Sequence, residues 1–464
     1  MKILVINGSP SGSDSITLQT VKYIRLFHPE HEWSVLDVGK RIKSVEKDPG
    51  AALEAVLDAD MLLFCYPVYT FLAPSQLHRF MRILKESGAD IRGKTASQIT
   101  TSKHFYDVTA HDWLNANCQD LRLNVIRGLS ADMEDLLREK GRKEALEFFD
   151  HLMFCAENGI FMSAAPVRET AELKSASVRD DKSPTDKDGS RRVVIVADLT
   201  GDSSRLSSMI DRFVSSCRFS CETVDIGRFP FAGGCLGCFG CAADGKCVYR
   251  DGFDTFLREN IQTADATVYA FRIEDHSMGY MFKTFDDRQF CNGHRTVTMG
   301  KPVGYLVDGC LSLEPSLGMM LEARAQVGGN YLAGVATTEA DPDTQTDMLA
   351  LDIGYAVEKS YVQPAAFYGV GGMKIFRDLI YTMRGLMRED HRFYKKHGFY
   401  DFPQKRRGTI MGMYLAGMAV RSKGIRAKIG SKMTEGMLMP YSKVLKAAEA
   451  GISSSAAERK DEAE

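Results

Sequence analysis

Short apolar runs alternate with amphipathic stretches in two successive series along this chain. The first series starts at residues 2–6 (Lys-Ile-Leu-Val-Ile) and the second at residues 192–197 (Arg-Val-Val-Ile-Val-Ala). Alternating strand-like and helix-like segments predict a parallel sheet covered by helices on both faces. Because the pattern occurs twice, in a chain of 464 residues that is too long for one core, we predict a divergent duplication at the scale of a domain.

The predicted boundaries follow the composition of the chain. Residues 1–160 and 192–360 are expected to form the two α/β domains, joined by residues 161–191, which contain too few large apolar residues to order themselves. Residues 361–464 carry Met, aromatic and basic residues at helical spacing, and we expect them to pack on the second domain. The predicted fold class is therefore α/β, with two doubly wound parallel sheets and a basic helical C-terminal extension.

Charge and hydropathy indicate where the chain works. No secretory signal precedes the first apolar run, and the apolar stretch at residues 409–420 is shorter than the roughly 20 residues that span a bilayer. We therefore expect a cytoplasmic protein. The net charge is −2, but residues 374–447 contain 17 Lys and Arg against 5 Asp and Glu, which makes the tail basic and the remainder acidic.

The basic tail permits several partners. Basic and aromatic residues interleave between Arg384 and Arg407, which suits an acidic electron-transfer partner, the phosphate of NADPH or an anionic membrane surface. A solvated helical face is the default expectation, and membrane contact is not favoured. A nucleic-acid partner is not expected because the acidic body would oppose it and no recognition motif is present. A homo-oligomer remains open.

Four of the eleven cysteines lie within thirteen residues, at Cys235, Cys238, Cys241 and Cys247. In a reducing compartment such a group indicates metal binding or redox chemistry. The spacing C-x2-C-x2-C-x5-C, on a loop rich in glycine, allows four thiolates to wrap an iron–sulfur cubane. Zinc is an alternative, although zinc ribbons usually join two separated C-x2-C pairs. Free thiols or a redox-active disulfide are a further alternative to the predicted [4Fe–4S] cluster.

A second motif follows the first predicted strand, where residues 7–17 read NGSPSGSDSIT. Glycines allow close backbone approach, and hydroxyl groups with a helix N-terminus can donate hydrogen bonds to a phosphate. The motif is neither a Walker loop nor a dinucleotide fingerprint, and an ordinary capping loop is the alternative. Pro67-Val68-Tyr69 and the stretch 100–105 (TTSKHF) follow later strands, and the ends of parallel strands meet at one sheet edge. An aromatic cover and exposed backbone at that edge suit a flat isoalloxazine ring.

Together these segments resemble the NADPH-dependent FMN reductase family of flavodoxin-like proteins. The resemblance implies two flavodoxin-like domains and a set of FMN ligands in the first. The phosphate would be held by Ser9, Ser15 and Thr17. The ring would be lined by Pro67, Val68 and Tyr69 and flanked by Thr101, Ser102 and His104. One departure is Ser11, which stands where the family often has arginine.

The cysteine loop resembles that of the iron–sulfur flavoproteins, a branch of the same family. Those proteins carry FMN and the cluster in one domain and work as electron carriers or reductases, often with the cluster of one subunit facing the flavin of another. Here residues 198–205 (DLTGDSSR) lack Gly-Ser-Pro, and Glu274 and Asp275 stand where Pro-Val-Tyr is expected. Carboxylates there would repel a phosphate. We therefore expect that the second domain kept the cluster and lost the flavin, and that its cysteine loop faces the FMN of the first. The nearby His276 is expected in a solvated loop, with an acid–base group or a second metal site as alternatives.

The expected function is that of an NAD(P)H-dependent flavin oxidoreductase or electron carrier, in which FMN exchanges electrons with the cluster and then with a protein or small-molecule partner. A non-enzymatic zinc-binding scaffold with a vestigial flavin pocket is one alternative. A plain FMN or quinone reductase with a structural cluster is another. No catalytic residue and no choice between NADH and NADPH follow from the sequence.

Overall fold

The computed structural model describes residues 1–163, 171–178 and 187–420. It contains two parallel sheets with helices on their faces, so the predicted α/β fold class with two doubly wound sheets is confirmed. Residues 164–170 and 179–186 of the predicted linker lie outside the described residues. So do residues 421–464 of the predicted extension.

The first half of the chain, residues 1–163, carries a sheet with strand order β2-β1-β3-β4-β5, and β6 pairs with β4. Its first strand is buried on both faces from Ile3 to Ile6, as is typical of parallel sheets covered on both sides. The strands are β1 (Lys2–Asn7), β2 (Glu32–Leu36), β3 (Met61–Pro67), β4 (Thr95–Ser102), β5 (Asn124–Val125) and β6 (Leu129–Asp132). The helices are α1 (Ile16–Phe27), α2 (Val38–Lys47), α3 (Gly50–Asp58), α4 (Ser75–Glu86), α5 (Asp107–Asp120) and α6 (Glu139–Asn158).

The second half, residues 187–360, repeats this topology. Its strands are β7 (Asp188–Ala197), β8 (Phe219–Asp225), β9 (Ala266–Arg272), β10 (Pro302–Asp308) and β11 (Tyr331–Thr337). Its helices are α7 (Ser204–Ser216), α8 (Gly240–Asp244), α9 (Phe253–Phe256), α10 (Gly279–Arg288), α11 (Pro315–Gly328) and α12 (Pro342–Lys359). The order β8-β7-β9-β10-β11 places each strand where its counterpart lies in the first sheet. In such sheets ligands bind at the switch point, beside the carboxyl ends of the first and third strands.

The two halves are packed together through equivalent elements. Leu77 and Phe80 of α4 share one hydrophobic core with Phe282 and Phe285 of α10, and each of these helices follows the third strand of its own half. The turns before them are also alike, because Tyr69–Leu72 and Glu274–Ser277 each form an isolated antiparallel bridge. The two halves therefore pack as a pseudo-symmetric pair within one chain, and their origin by duplication stays a prediction.

The extension begins with α13 (Phe367–Thr382) and α14 (Arg388–Lys396), which belong to the same compact unit as both sheets, residues 1–397. The helix α13 contacts both halves. Phe376 stacks on Phe105 of the first half at 4.3 Å between ring centroids, and the Ala366 amide donates to the Gln326 side chain of the second at 2.9 Å. The sequence predicted contact with the second half alone.

A last described helix, α15 (Arg407–Val420), belongs to a separate unit that starts at Gly398. No helix in the described part of the chain is both long enough and apolar enough to cross a membrane.

Candidate functional site

The predicted phosphate loop wraps around the start of α1. The Asn7 side-chain amide donates to the Gly12 carbonyl at 2.9 Å and to the Asp37 carboxylate at 2.6 Å, which fixes the loop from its base. Gly12 has a φ of +58°, a conformation that favours glycine. The Ser15 hydroxyl accepts from the Leu18 amide at 3.4 Å and caps the helix.

The three predicted phosphate ligands are buried at this helix N-terminus: Ser9, Ser15 and Thr17 are 2 %, 3 % and 0 % exposed. The Thr17 hydroxyl lies 2.6 Å from that of Thr101 at the end of β4. Buried hydroxyls at a helix N-terminus, where the backbone amides carry partial positive charge, suit a phosphate group. The structure thus brings the predicted ligands together, and their binding of FMN stays a prediction.

Two lysines that the sequence did not single out add positive charge to this loop. The Lys22 ammonium donates to the Ser13 carbonyl at 3.2 Å. The Lys40 side chain passes over Gly12, since a Cβ built there would lie 2.5 Å from its Cδ.

The predicted ring-lining residues Pro67, Val68 and Tyr69 lie at the end of β3, where the Val68 amide donates to the Thr101 carbonyl at 3.3 Å. Tyr69 is half-buried, and desolvation raises the pKa of its hydroxyl, so the ring is neutral. Ser102 is buried, and its hydroxyl accepts from the His104 amide at 2.8 Å. These segments and the phosphate loop line one cavity of about 560 Å³.

His104 faces elsewhere. Its Nδ1 lies 3.0 Å from the Asp107 carboxylate, and the residue lines a different cleft of about 490 Å³, between α1 and α6. Its predicted contact with a flavin ring therefore stays a prediction without support from this placement.

The cysteine loop of the second half lies directly against the first half. The Gln76 side chain donates to the Cys235 carbonyl at 3.3 Å. At Gly237 the two segments are so close that an added Cβ would lie 2.7 Å from Cζ of Tyr69, and nearer still to its hydroxyl. The loop belongs to the same cavity wall as the ring-lining residues. All four clustered cysteines line this cavity: Cys235, Cys238, Cys241 and Cys247.

The thiols themselves are held by nearby backbone groups. The Gly237 amide donates to Cys235 Sγ at 3.4 Å, and the Cys241 thiol donates to the Phe290 carbonyl at 3.0 Å. Burial raises the pKa of Cys235 to about 12 and that of Cys241 to about 11, so both are neutral thiols without a metal. A bound cation would deprotonate them.

Within the described ranges, no three His, Cys, Asp or Glu side chains converge closely enough to hold a metal ion. The zinc alternative requires such convergence, because four thiolates would each lie about 2.3 Å from one ion. An iron–sulfur cluster has a wider spacing because its thiolates bind different irons. The cluster on these cysteines stays a prediction.

Arg288 anchors the cysteine loop from within and was not singled out by the sequence. The side chain is 1 % exposed, and its guanidinium donates to the Asp251 carboxylate at 2.7 and 2.8 Å and to the Gly233 carbonyl at 2.8 Å. It lies 4.0 Å from Cys247 Sγ and 4.4 Å from the centre of the Tyr249 ring. Burial alone would raise the pKa of the Asp251 carboxyl. Its interaction with Arg288 lowers that pKa by a larger amount, to about 2.

A second buried ion pair fixes the ring-lining turn from the other half. The Lys283 ammonium, fully buried in α10, donates to the Tyr69 carbonyl at 2.9 Å, to the Thr70 hydroxyl at 2.6 Å and to the Asp287 carboxylate at 2.5 Å. Asp287 also accepts from the Ser75 amide at 2.8 Å. The shape of the predicted flavin slot thus depends on the second half.

The extension completes the wall beside the cysteine loop. Asp390 of α14 is fully buried and accepts from the His294 amide at 3.1 Å and from its Nδ1 at 2.9 Å. The Tyr394 hydroxyl donates to the His294 carbonyl at 3.1 Å. His294 and Phe376 both line the main cavity. The extension is therefore part of the candidate site.

The sequence predicts His276 in a solvated loop, whereas the structure places it between carboxylates of both halves. Its Nδ1 lies 2.8 Å from Glu314 and its Nε2 lies 3.0 Å from Asp120. Burial lowers the pKa of His276, but the two carboxylates raise it more strongly, to about 9. The imidazole is therefore charged at neutral pH and links the halves electrostatically.

The equivalent edge of the second half is occupied by its own side chains. The Arg272 guanidinium lies against Gly201, 3.3 Å from where a Cβ on that glycine would be. It donates to the Asp202 carbonyl and pairs with the Glu274 carboxylate at 2.8 Å. Linker residues 171–178 also lie at this edge, where the Lys174 amide donates to the Thr338 carbonyl at 2.8 Å. The described part of the linker is thus bound to the second half, in contrast to the prediction.

Three solved structures are similar in part. An NAD(P)H:quinone oxidoreductase from Methanothermobacter marburgensis is 12 % identical, with 36 % of this chain and 98 % of that chain covered and a TM-score of 0.26. An apo NADH:FMN oxidoreductase is 20 % identical, with 36 % and 91 % covered and a TM-score of 0.29. An FMN-dependent NADH-azoreductase from Bacillus anthracis, in complex with FMN, is 15 % identical, with 34 % and 100 % covered and a TM-score of 0.26.

The similarity to these three structures is low, and their ligands and substrates belong to those proteins alone. No curated protein matches the chain. A family model described as flavodoxin-like fold matches residues 1–101, the segment that runs from β1 to the end of β4 and contains the predicted phosphate loop. The amino-terminal hundred residues of this chain therefore have a flavodoxin-like fold.

Proposed function

We propose that this chain is an iron–sulfur flavoprotein, an NAD(P)H-dependent oxidoreductase or electron carrier with FMN in its first half and a [4Fe–4S] cluster in its second. The observation that carries the proposal is the shared cavity. One space of about 560 Å³ is lined by the phosphate loop, by the ring-lining turn and by all four clustered cysteines. Cofactors held on the walls of one cavity can exchange electrons directly.

The residues of the first half fit FMN. Ser9, Ser15 and Thr17 form a buried hydroxyl cradle at a helix N-terminus, and Lys22 and Lys40 bring cationic side chains to the loop. The neutral ring of Tyr69 and the backbone of β3 would line the isoalloxazine. When bound, FMN supplies hydride transfer and the cluster supplies one-electron transfer.

The cysteine loop fits a cluster on grounds of charge and hydrogen bonding. Backbone amides next to sulfur and a nearby cation stabilise the negative charge of a thiolate-bound cluster and tune its potential. Here the Gly237 amide donates to Cys235 Sγ, and the buried Arg288 lies 4.0 Å from Cys247 Sγ. Arg272 fills the matching edge of the second half, which supports one flavin per chain.

The protein itself orients the two sites. Tyr69 lies between the ring slot and Gly237 of the cysteine loop, and Lys283 holds the turn that carries it. The stacked rings of Phe376 and Phe105 line the cavity on the side of the extension.

Composition of the anaerobically purified full chain tests the proposal. We expect about one FMN, with iron and sulfide in equal amounts at about four per chain. Zinc in place of iron would overturn the cluster assignment, and a colourless protein without flavin would overturn the first half of the proposal.

Paired variants separate the two sites. Cys238→Ala should lose iron and keep FMN, whereas Cys310→Ala, a partly exposed cysteine outside the cavity, should lose neither. Thr17→Val should weaken FMN binding by roughly tenfold to a hundredfold, as expected for one hydrogen bond to a charged group. Thr20→Val, buried one turn further along α1, should leave FMN binding unchanged. Full NAD(P)H turnover in a folded Cys238→Ala protein would instead identify a plain FMN reductase with a structural cluster.

A further inference from the structure

The helix α15 exposes a large apolar surface. Each of its side chains that the structure describes is exposed, including Met413 at 66 % and Tyr414 at 71 %. Ile410, Tyr414 and Met418, spaced by four, form one row, and Met411 and Leu415 form the adjacent row. A helix that is apolar over such a wide arc is normally covered by protein or lipid.

The apolar run in α15 is bounded in the sequence by Arg407 and Arg421, which limits what can cover it. The thirteen residues between them would extend about 20 Å as a helix, at 1.5 Å per residue, which is less than the roughly 30 Å of a bilayer core. A helix of this length and hydropathy can lie along a membrane surface with its apolar side chains below the headgroups.

The charges on either side of α15 distinguish between its partners. Residues 402–434 contain eight Lys and Arg and no Asp or Glu, and Lys405, Arg406 and Arg407 come directly before the apolar residues. A second copy of the chain would bring these like charges together, which is unfavourable. An anionic lipid surface would neutralise them, and each basic residue near such a surface contributes to binding.

An aromatic pair precedes the basic triplet. The rings of Tyr400 and Phe402 stack with their centroids 6.0 Å apart. Aromatic side chains next to lysine and arginine are typical of segments that lie at the boundary between headgroups and acyl chains.

We propose that α15 docks the protein on the surface of a bilayer that contains anionic lipid, with the row Ile410, Tyr414 and Met418 inserted among the acyl chains and the basic triplet among the headgroups. This role does not depend on FMN or on the cluster, because α15 belongs to a unit separate from residues 1–397.

Flotation of the full chain with vesicles tests this role. Vesicles of phosphatidylcholine with about 30 % phosphatidylglycerol should carry the protein, and pure phosphatidylcholine should carry much less. Binding should fall when NaCl is raised from about 0.1 M to 1 M, because the Debye length falls from about 10 Å to 3 Å.

Variants identify the surface that binds. Leu415→Glu should weaken binding by at least about tenfold, since a buried leucine contributes more than 1.4 kcal/mol. Leu351→Glu in α12, at an apolar residue that is 75 % exposed, is the matched control and should not change it. Replacement of Lys405, Arg406 and Arg407 by Gln should weaken binding to anionic vesicles by about a hundredfold, at about fivefold per residue.

The control for charge is Lys140→Gln with Lys143→Gln, two exposed lysines of α6, which should bind as the unmodified protein does. Circular dichroism and urea unfolding should be unchanged in all variants, because exposed substitutions usually change stability by no more than about 0.5 kcal/mol. Absence of binding to anionic vesicles would overturn the proposal. So would a lipid-independent dimer that Leu415→Glu dissociates, since a second copy would then cover the helix.

Discussion

Gly237 of the cysteine loop packs against Tyr69 of the ring-lining turn, and substitution of the glycine tests whether this packing matters. Gly237 has a φ of +63°, so alanine there costs about 1–2 kcal/mol for the left-handed conformation alone. Its methyl group would also lie 2.7 Å from Cζ of Tyr69 and nearer still to its hydroxyl. Overpacking of this kind costs about 1–3 kcal/mol, so Gly237→Ala should lower the free energy of unfolding by about 2–5 kcal/mol.

Gly252→Ala provides the matched control. Gly252 has a φ of +78° and lies in the same half, but nothing lies within 4 Å of the position of its Cβ. Its substitution should therefore cost only the conformational contribution, about 1–2 kcal/mol. The difference between the two variants, about 1–3 kcal/mol, measures the contact with Tyr69.

Urea unfolding of the purified holoprotein, with iron and flavin analysis on the same samples, is the appropriate assay. Tyr69→Phe removes the hydroxyl group, so the double variant with Gly237→Ala should recover part of the lost stability, which a double-mutant cycle quantifies. Gly237→Ala should also release iron or flavin at lower urea than Gly252→Ala does. Equal stability and equal cofactor retention in the two alanine variants would refute the inferred packing of the cysteine loop on the ring-lining turn.

Two further predictions concern charged residues, one between the halves and one within the second half. Because folding raises the pKa of His276, its charged imidazole stabilises the fold. This stabilisation is complete below the pKa of the unfolded chain, about 6.5, and is lost as pH rises through about 9. His276→Gln should therefore cost up to about 3 kcal/mol at pH 6 and little at pH 9.5, and a pH-independent difference in urea unfolding would contradict this. Arg288→Met leaves the Asp251 carboxylate buried without its partner, so it should cost about 3–5 kcal/mol and reduce iron per chain. Arg92→Met breaks an exposed pair with Asp90 of similar geometry and should cost less than about 1 kcal/mol; equal losses in the two arginine variants would contradict the anchoring role.

The sequence predicted the sheets because burial on both faces leaves a direct record in it. The apolar run at Ile3–Ile6 and its counterpart at Val193–Val196 are buried in β1 and β7. The helix α2 leaves no such record, because only Val38, Gly39 and Val45 of its ten residues are buried and most of the rest are polar. The strand β6 leaves none either, because it has only four residues and is defined by its pairing with β4. Such pairing depends on distant residues.

The candidate site was predictable where chemistry depends on neighbours in sequence. The cysteine spacing and the Gly-Ser-Pro loop identified segments that do line one cavity. Arg288, Lys283 and Asp390 could not be identified in this way, because charged residues within helices are normally exposed. Each of them is buried because the tertiary fold brings a partner near it. The partner of Arg288 is Asp251, that of Lys283 is the ring-lining turn, and that of Asp390 is His294.

A duplication within one chain, as the sequence predicts, would allow the two halves to diverge. In a symmetric dimer each interface contact occurs twice, so one sequence must supply both the phosphate loop and the cysteine loop. In a single chain each half needs only one of them. Arg272, which lies against Gly201 and pairs with Glu274, would block a phosphate at its own edge, and a symmetric dimer would then lose both flavins. In this chain that arginine leaves the cavity of the first half open, and covalent linkage keeps the two halves at a high effective concentration. The loss of symmetry is therefore compatible with the proposed redox pair only because the halves are joined.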